Sequence, residues 1–164
     1  IEFVASTPAL SLFPPLVIPE LLWIRQLQRR PALAKYRHTL ICALRHPGMY
    51  RSVSALAPIC SASRGWGRKA FAAYFGDDPD TWHQWDACDL LRKSTQRLQL
   101  RVDQGDADPF LQDRLQPDLL RAACAEGGHA LDLRMRPGYD HGFYFVASFV
   151  GEHIAHHAAA LKSV

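Results

Sequence analysis

Hydrophobic and polar positions fall into clear helical and strand periods from His38 onward. "HTLICALRHPG" (His38–Gly48) sets Leu40, Ile41 and Leu44 on one helical face, and Pro47-Gly48 stops it. "YRSVSALAPIC" (Tyr50–Cys60) is rich in small and β-branched residues and broken by Pro58, which predicts a strand. After an irregular tryptophan-bearing stretch, "RLQLRVDQGDAD" (Arg97–Asp108) reads as a strand ending in an acidic turn. "LQDRLQPDLLRAACAEGG" reads as a helix closed by Gly127-Gly128, and "ALDLRMR" alternates like a strand. "FYFVASFVGEHIAHHAAAL" closes the pattern as an amphipathic helix. Strand and helix in alternation imply an α/β fold of about three parallel strands joined by crossover helices.

Residues 1 to about 36 show no such logic. "IEFVASTPALSLFPPLVIPELLWI" is apolar, but Pro8, Pro14, Pro15 and Pro19 argue against a membrane-spanning helix. A positive n-region and a small-residue cleavage site are both missing, so it does not read as a signal peptide. A segment such as "PLVIPEL" could add a makeshift edge strand, to which its prolines are poorly suited.

Composition narrows the class. The 164 residues, 48% apolar and 21% charged, suit one domain with a real core rather than a disordered or membrane chain. A net charge of +3 spread without basic runs gives no sign of a nucleic-acid or membrane partner. Cys42, Cys60, Cys88 and Cys124 are far apart and form no C-x-x-C, as expected of reduced thiols in a cytoplasmic protein.

Open parallel sheets place ligands beyond the carboxyl ends of their strands. Two polar residues occupy that edge. Asp108 follows one strand, and His141 follows another, in the turn-forming run "RPGYDHG". If the strands are neighbours, the carboxylate can hold one ring nitrogen and leave the other to take a proton from a nucleophile. The other reading of Asp108 is a turn or capping residue before Pro109. His153 and His157 share a helical face at i, i+4, but without H-E-x-x-H or a third ligand they are not read as a metal site. Cys60 at a strand end is read as a small buried residue rather than a nucleophile. Trp66, Trp82 and Trp85 read as core residues, with Trp66 the best candidate for a pocket wall, and Arg68 and Lys69 as a solvated basic face.

The runs "HTLICALRHPGMYRSVSALAPIC", "WGRKAFAAYFGDD", "DQGDADPFL" and "GYDHGFYFVASFVGEHIAHHAAAL" together resemble the S-formylglutathione hydrolases, the esterase D-type enzymes of the α/β-hydrolase fold. The resemblance is collinear over about 125 residues. It implies the C-terminal part of that fold at residues 38–164, preceded by a non-family segment at 1–37. It also implies a triad in the chain order Ser, Asp, His, with the acid at Asp108 and the base at His141. Asp103 is then the strand-end acid before the triad aspartate, and Asp140 a neighbour of the histidine. The implied activity is cytoplasmic thioester and carboxylic-ester hydrolysis, releasing formate and glutathione from S-formylglutathione in formaldehyde detoxification. It implies no cofactor or metal and a homodimer when the enzyme is intact.

The family carries Gly-His-Ser-Met-Gly-Gly-His-Gly just before the helix that reads here as "LICALRHPG". This chain has "RRPALAKYRHTLICAL" in that place and no G-x-S-x-G anywhere. A nucleophile and the oxyanion donor after it are therefore missing, and one such donor is typically worth ~3–4 kcal/mol in the transition state. The expected cause is a break in the reading frame, or a splice, upstream of His38. The other two frames of the upstream DNA would then encode the Gly-His-Ser-Met-Gly-Gly string, and its absence from both refutes the frame break. Three readings follow: a member of this hydrolase family, an inactive fragment, or a non-enzymatic module pairing with another chain. The missing nucleophile strand is also expected to leave "SVSALAPI" as a bare apolar edge open to association.

Overall fold

The computed structural model describes residues 2–6 and 39–162, with the side chains of 2–6 and of Trp66 left aside. Its sheet has four strands in the order β1 (Glu2–Ser6), β2 (Tyr50–Leu56), β3 (Gln99–Gly105) and β4 (Ala130–Arg136). β2, β3 and β4 run parallel, as the alternation of strands and helices predicts. Crossover helices join them: α2 (Arg68–Phe75) and α3 (Ala87–Lys93) lie between β2 and β3, and α4 (Pro117–Gly127) lies between β3 and β4. α1 (Thr39–Arg45) precedes β2, and α5 (Phe143–Lys162) follows β4. No helix among the described residues is long and apolar enough to cross a membrane.

One expectation is overturned. β2 is not a bare edge, because Glu2–Ser6 pairs with it antiparallel in the register Phe3 opposite Ser54 and Val4 opposite Val53. A β-branched and aromatic pentapeptide can supply the backbone donors and acceptors that an open edge demands. The opening residues thus carry at least one strand of fold logic. The suggested strand at "PLVIPEL" lies outside the described residues.

The two faces of the parallel sheet differ in chemistry. Val53, Ala55, Leu100 and Val102 point to one side and join Leu40, Ile41 and Leu44 of α1, Cys88 and Leu91 of α3, and Leu120, Ala123 and Cys124 of α4 in the core. Their neighbours at period 2 point the other way, toward α5, and are Ser52, Ser54, Arg101 and Asp103. α3 starts where Asp86 caps the backbone N–H groups of Cys88 and Asp89.

The stretch expected as one helix from Leu111 to Gly128 divides in two. Leu111–Leu115 is a single π-helical turn, Gln116 takes a left-handed conformation at φ 50°, and α4 begins at Pro117. Proline has no N–H to continue the earlier turn but suits the first helical position, so the break falls there.

Candidate active site

Asp108 and His141 meet beyond the carboxyl ends of β3 and β4. His141 Nδ1 lies 2.7 Å from Asp108 Oδ2. The Asp108 side chain is fully buried and accepts two further hydrogen bonds, from the Phe110 backbone N–H at 2.8 Å and from Gln104 Nε2 at 3.2 Å. These fix the carboxylate from three directions. The His141 side chain is 43% exposed, and its ring packs edge-on against Phe110 with centroids 5.5 Å apart. With Nδ1–H donated to the carboxylate, Nε2 keeps its lone pair, and it meets no partner among the described residues. A neutral imidazole held in this tautomer can take a proton from a hydroxyl or a water.

The two loops are fastened to each other by backbone contacts. Asp106 N–H donates to the Arg136 carbonyl and Ala107 N–H to the Tyr139 carbonyl, at 3.2 and 3.1 Å. Asp106 Oδ1 accepts from Gly138 N–H at 2.7 Å, where the turn needs the positive φ of 75° that glycine supplies. Gly105 makes room for this: a Cβ there would sit 2.2 Å from the Tyr139 carbonyl oxygen. Asp140 Oδ1 accepts from Gly142 N–H at 2.8 Å and turns the chain into α5. The glycines and aspartates of "DQGDADPF" and "GYDHG" therefore build the loops that carry the acid and the imidazole.

The Esterase family model ("Putative esterase") matches residues 38–156. The chain belongs to the esterase family. A mouse (Mus musculus) S-formylglutathione hydrolase is 46% identical over 127 residues, which are 76% of this chain and 45% of the relative. The solved S-formylglutathione hydrolase of Agrobacterium tumefaciens superposes with a TM-score of 0.72 at 36% identity, covering 75% of this chain and 45% of that one. Dipeptidyl peptidase 4 of Porphyromonas gingivalis, at 17% identity and a TM-score of 0.53, covering 72% of this chain and 18% of that one, shares the fold alone. The chain thus spans about 45% of the length of the S-formylglutathione hydrolases it matches.

Three of the serines described in this esterase-family chain are engaged away from His141. Ser61 Oγ and Ser63 Oγ both donate to Asp86 Oδ2, at 2.9 and 2.7 Å, and Ser148 Oγ donates to the Tyr144 carbonyl. Cys60 is buried in the core. Trp82 is buried and donates from its indole to the Gly76 carbonyl, whereas Trp85 stacks on Phe75 and lies under the Arg45 guanidinium. Arg68 and Lys69 are exposed on α2, and the Trp66 side chain lies outside the described residues.

His153 and His157 go to different partners. His153 is fully buried with Nε2 2.9 Å from Asp103 Oδ2, and His157 sits between Ser52 Oγ and Ser54 Oγ at 2.8 and 2.9 Å. Asp103 also receives the guanidinium groups of Arg136 and, at 3.3 Å, Arg101. Burial alone raises the Asp103 carboxyl, but the hydrogen bonds from His153 and Arg136 reverse the sign and hold it below the ordinary carboxylate value. Arg101, Arg134 and Arg136 all reach Glu152 on α5. The sequence marks Asp103 only as a strand-end acid. In the alternation of "LQLRVDQ" it falls in the polar row, opposite Leu100 and Val102, so the pattern carries no sign that α5 buries and pairs it.

Proposed function

We propose that this chain carries the acid and base of an ester and thioester hydrolase of the esterase family, with S-formylglutathione as its substrate. The observation that supports it is the buried, triply bonded Asp108 holding Nδ1 of an exposed His141. The identity to S-formylglutathione hydrolases of mouse and A. tumefaciens supports the substrate class. In this reading Asp108 orients the ring, and His141 Nε2 takes the proton of a serine hydroxyl as its oxygen attacks the formyl carbon. Collapse of the tetrahedral intermediate breaks the C–S bond, and the proton passes from His141 to the leaving glutathione thiolate. A water then adds to the acyl carbon, giving its proton to His141; formate leaves, and the proton returns to the serine. Cytoplasmic location, a homodimer and independence of any cofactor belong to the same proposal.

The sequence contains no G-x-S-x-G serine, and no described serine hydroxyl is bonded to His141. This favours a second reading for the chain by itself, an acid–base pair without its nucleophile. Hydrolysis of S-formylglutathione by the purified chain, beside His141→Ala, decides between them. Turnover that disappears in His141→Ala supports a complete site; equal, background rates in both support the second reading.

A further inference from the structure

β4 ends the sheet, and among the described residues no strand pairs with its outer edge. Proline and bulges, which commonly blunt such an edge, are missing from it. Ala130–Arg136 runs in unbroken register along β3 for about 23 Å. Its charges, the other common guard, are of both signs and so repel only some registers. At the two ends of the strand, the Ala130 N–H donates to the Leu98 carbonyl and the Arg136 carbonyl accepts from the Asp106 N–H, so both turn to β3. By the period of two, the backbone groups of Asp132 and Arg134 turn to β3 as well, and those of Leu131, Leu133 and Met135 face outward. Three residues thus each offer an N–H and a carbonyl to a further strand.

The side chains of the strand choose the partner. Asp132 and Arg134 share the face of β4 turned to Glu152, are about half exposed, and pair with each other at 2.9 Å. On the opposite face Leu131 and Leu133 pack on the core, and Met135 remains 38% exposed. An antiparallel copy of β4 centred on Leu133 would set Asp132 opposite the partner's Arg134, Leu131 opposite the partner's Met135, and Leu133 opposite the partner's Leu133. The charged pairs then fall at non-hydrogen-bonded positions, where opposed side chains come closest, and the outward backbone groups meet at hydrogen-bonded ones. Moving the centre by one residue sets two Asp132 or two Arg134 side chains against each other, which is unfavourable. The edge is complementary to itself in the Leu133 register. We propose that the outer edge of β4 is where two copies of this chain pair, antiparallel about Leu133, joining their sheets into one. The inference rests on the homodimer of the reading above and gives it a surface. It is independent of the acid–base reading, because dimer formation is followed without turnover.

Light scattering of the purified chain over a dilution series tests this by mass. The parent should double its mass as concentration rises. Asp132→Arg and Arg134→Asp each set like charges against one another at the paired edge. Each should weaken dimerisation at least tenfold while the circular dichroism stays that of the parent. Mixing the two variants in equal amounts should restore the dimer, since the Leu133 register sets the two basic side chains of one against the two acidic side chains of the other. The doubly exchanged chain, Asp132→Arg with Arg134→Asp, should dimerise like the parent. A parent chain that stays monomeric throughout the series overturns the proposal. A dimer that both single variants form as well as the parent keeps the homodimer and overturns β4 as its surface. Single variants that lose the dimer and do not regain it on mixing overturn the register, and the proposal with it. A dimer that follows these exchanges and hydrolyses nothing upholds the pairing and counts only against the acid–base reading.

Discussion

Gly105→Ala tests how the acid and base are brought together. The added methyl would lie 2.2 Å from the Tyr139 carbonyl oxygen, 2.7 Å from its carbon and 3.1 Å from the Asp140 carbonyl oxygen. All three contacts are with backbone, which cannot swing aside as a side chain can. Real Cβ contacts do not fall below 3.0 Å, so the 137–142 loop must retreat by about 0.8 Å. The Ala107–Tyr139 hydrogen bond, now 3.1 Å, then stretches to about 3.9 Å and is lost. Overpacking of this kind costs about 1–3 kcal/mol and the lost bond about 1 kcal/mol more, or ~2–4 kcal/mol together. Urea denaturation followed by tryptophan fluorescence measures the loss. Long-range proton–nitrogen spectra of the imidazole report whether Nδ1 of His141 still carries the proton shared with Asp108. Gly151→Ala is the control: nothing lies within 4 Å of its new methyl, and in the interior of α5 it should stabilise by up to ~1 kcal/mol. A Gly105→Ala protein with the parent midpoint and an intact Nδ1–H signal would refute the argument that this glycine sets the loop.

Asp103→Ala leaves the Arg136 guanidinium and His153 facing an empty buried site, and should cost about 3–5 kcal/mol in the same denaturation assay. Acid should destabilise the chain in two stages, read as the urea midpoint against pH. Burial, aided by neighbouring positive charge, lowers His156 and His157, so their contribution is full above the ordinary histidine value and declines as pH falls below about 6.5. The lowered Asp103 contributes above the ordinary carboxylate range, and its share is lost below about pH 4 as the pH falls through its folded value. On the alkaline side, burial pushes the Cys88 thiol up to about 12 and Cys124 up to about 11, so the stability linked to them is full below the unfolded thiol value and falls as pH rises past about 8.5. Both thiols should therefore resist a disulfide reagent at pH 8 until denaturant is added, and fast native labelling at either would contradict their burial.

The parts legible in the sequence are those whose signals are local. Period-2 alternation in "RLQLRVDQG" and "ALDLRMR" marks two strands that the structure pairs in parallel, Gln99 opposite Ala130 through Gly105 opposite Arg136. The turn residues of "DQGDADP" and "PGYDHG" put Asp108 and His141 at the same sheet edge, and the structure places them in hydrogen-bond contact. What escaped depends on contacts distant in sequence. Pairing of Glu2–Ser6 with β2 joins segments some fifty residues apart and leaves no trace in either segment's period. The break at Gln116 was missed because an apolar helical pattern runs through Pro117 without interruption, although proline at a first helical position was there to be read.

The same separation of local from distant explains how an acid–base pair can be in register without a nucleophile beside it. Every described contact that sets Asp108 and His141 comes from β3, β4 and the two loops they open into: Gln104, Gly105, Asp106, Phe110, Arg136, Gly138 and Tyr139. Among the described residues, none comes from β2. β2 lies beside β3, with Val53–Leu56 paired to Leu100–Asp103, and the Ala57 N–H just past its end donates to the Asp103 carbonyl. The pair is thus a property of one parallel strand couple and its loops. A strand that pairs antiparallel with β2 satisfies the backbone of that edge. Glu152 pairs with Arg101 and Arg136 and, with the buried Phe145 and His153, holds α5 on the sheet.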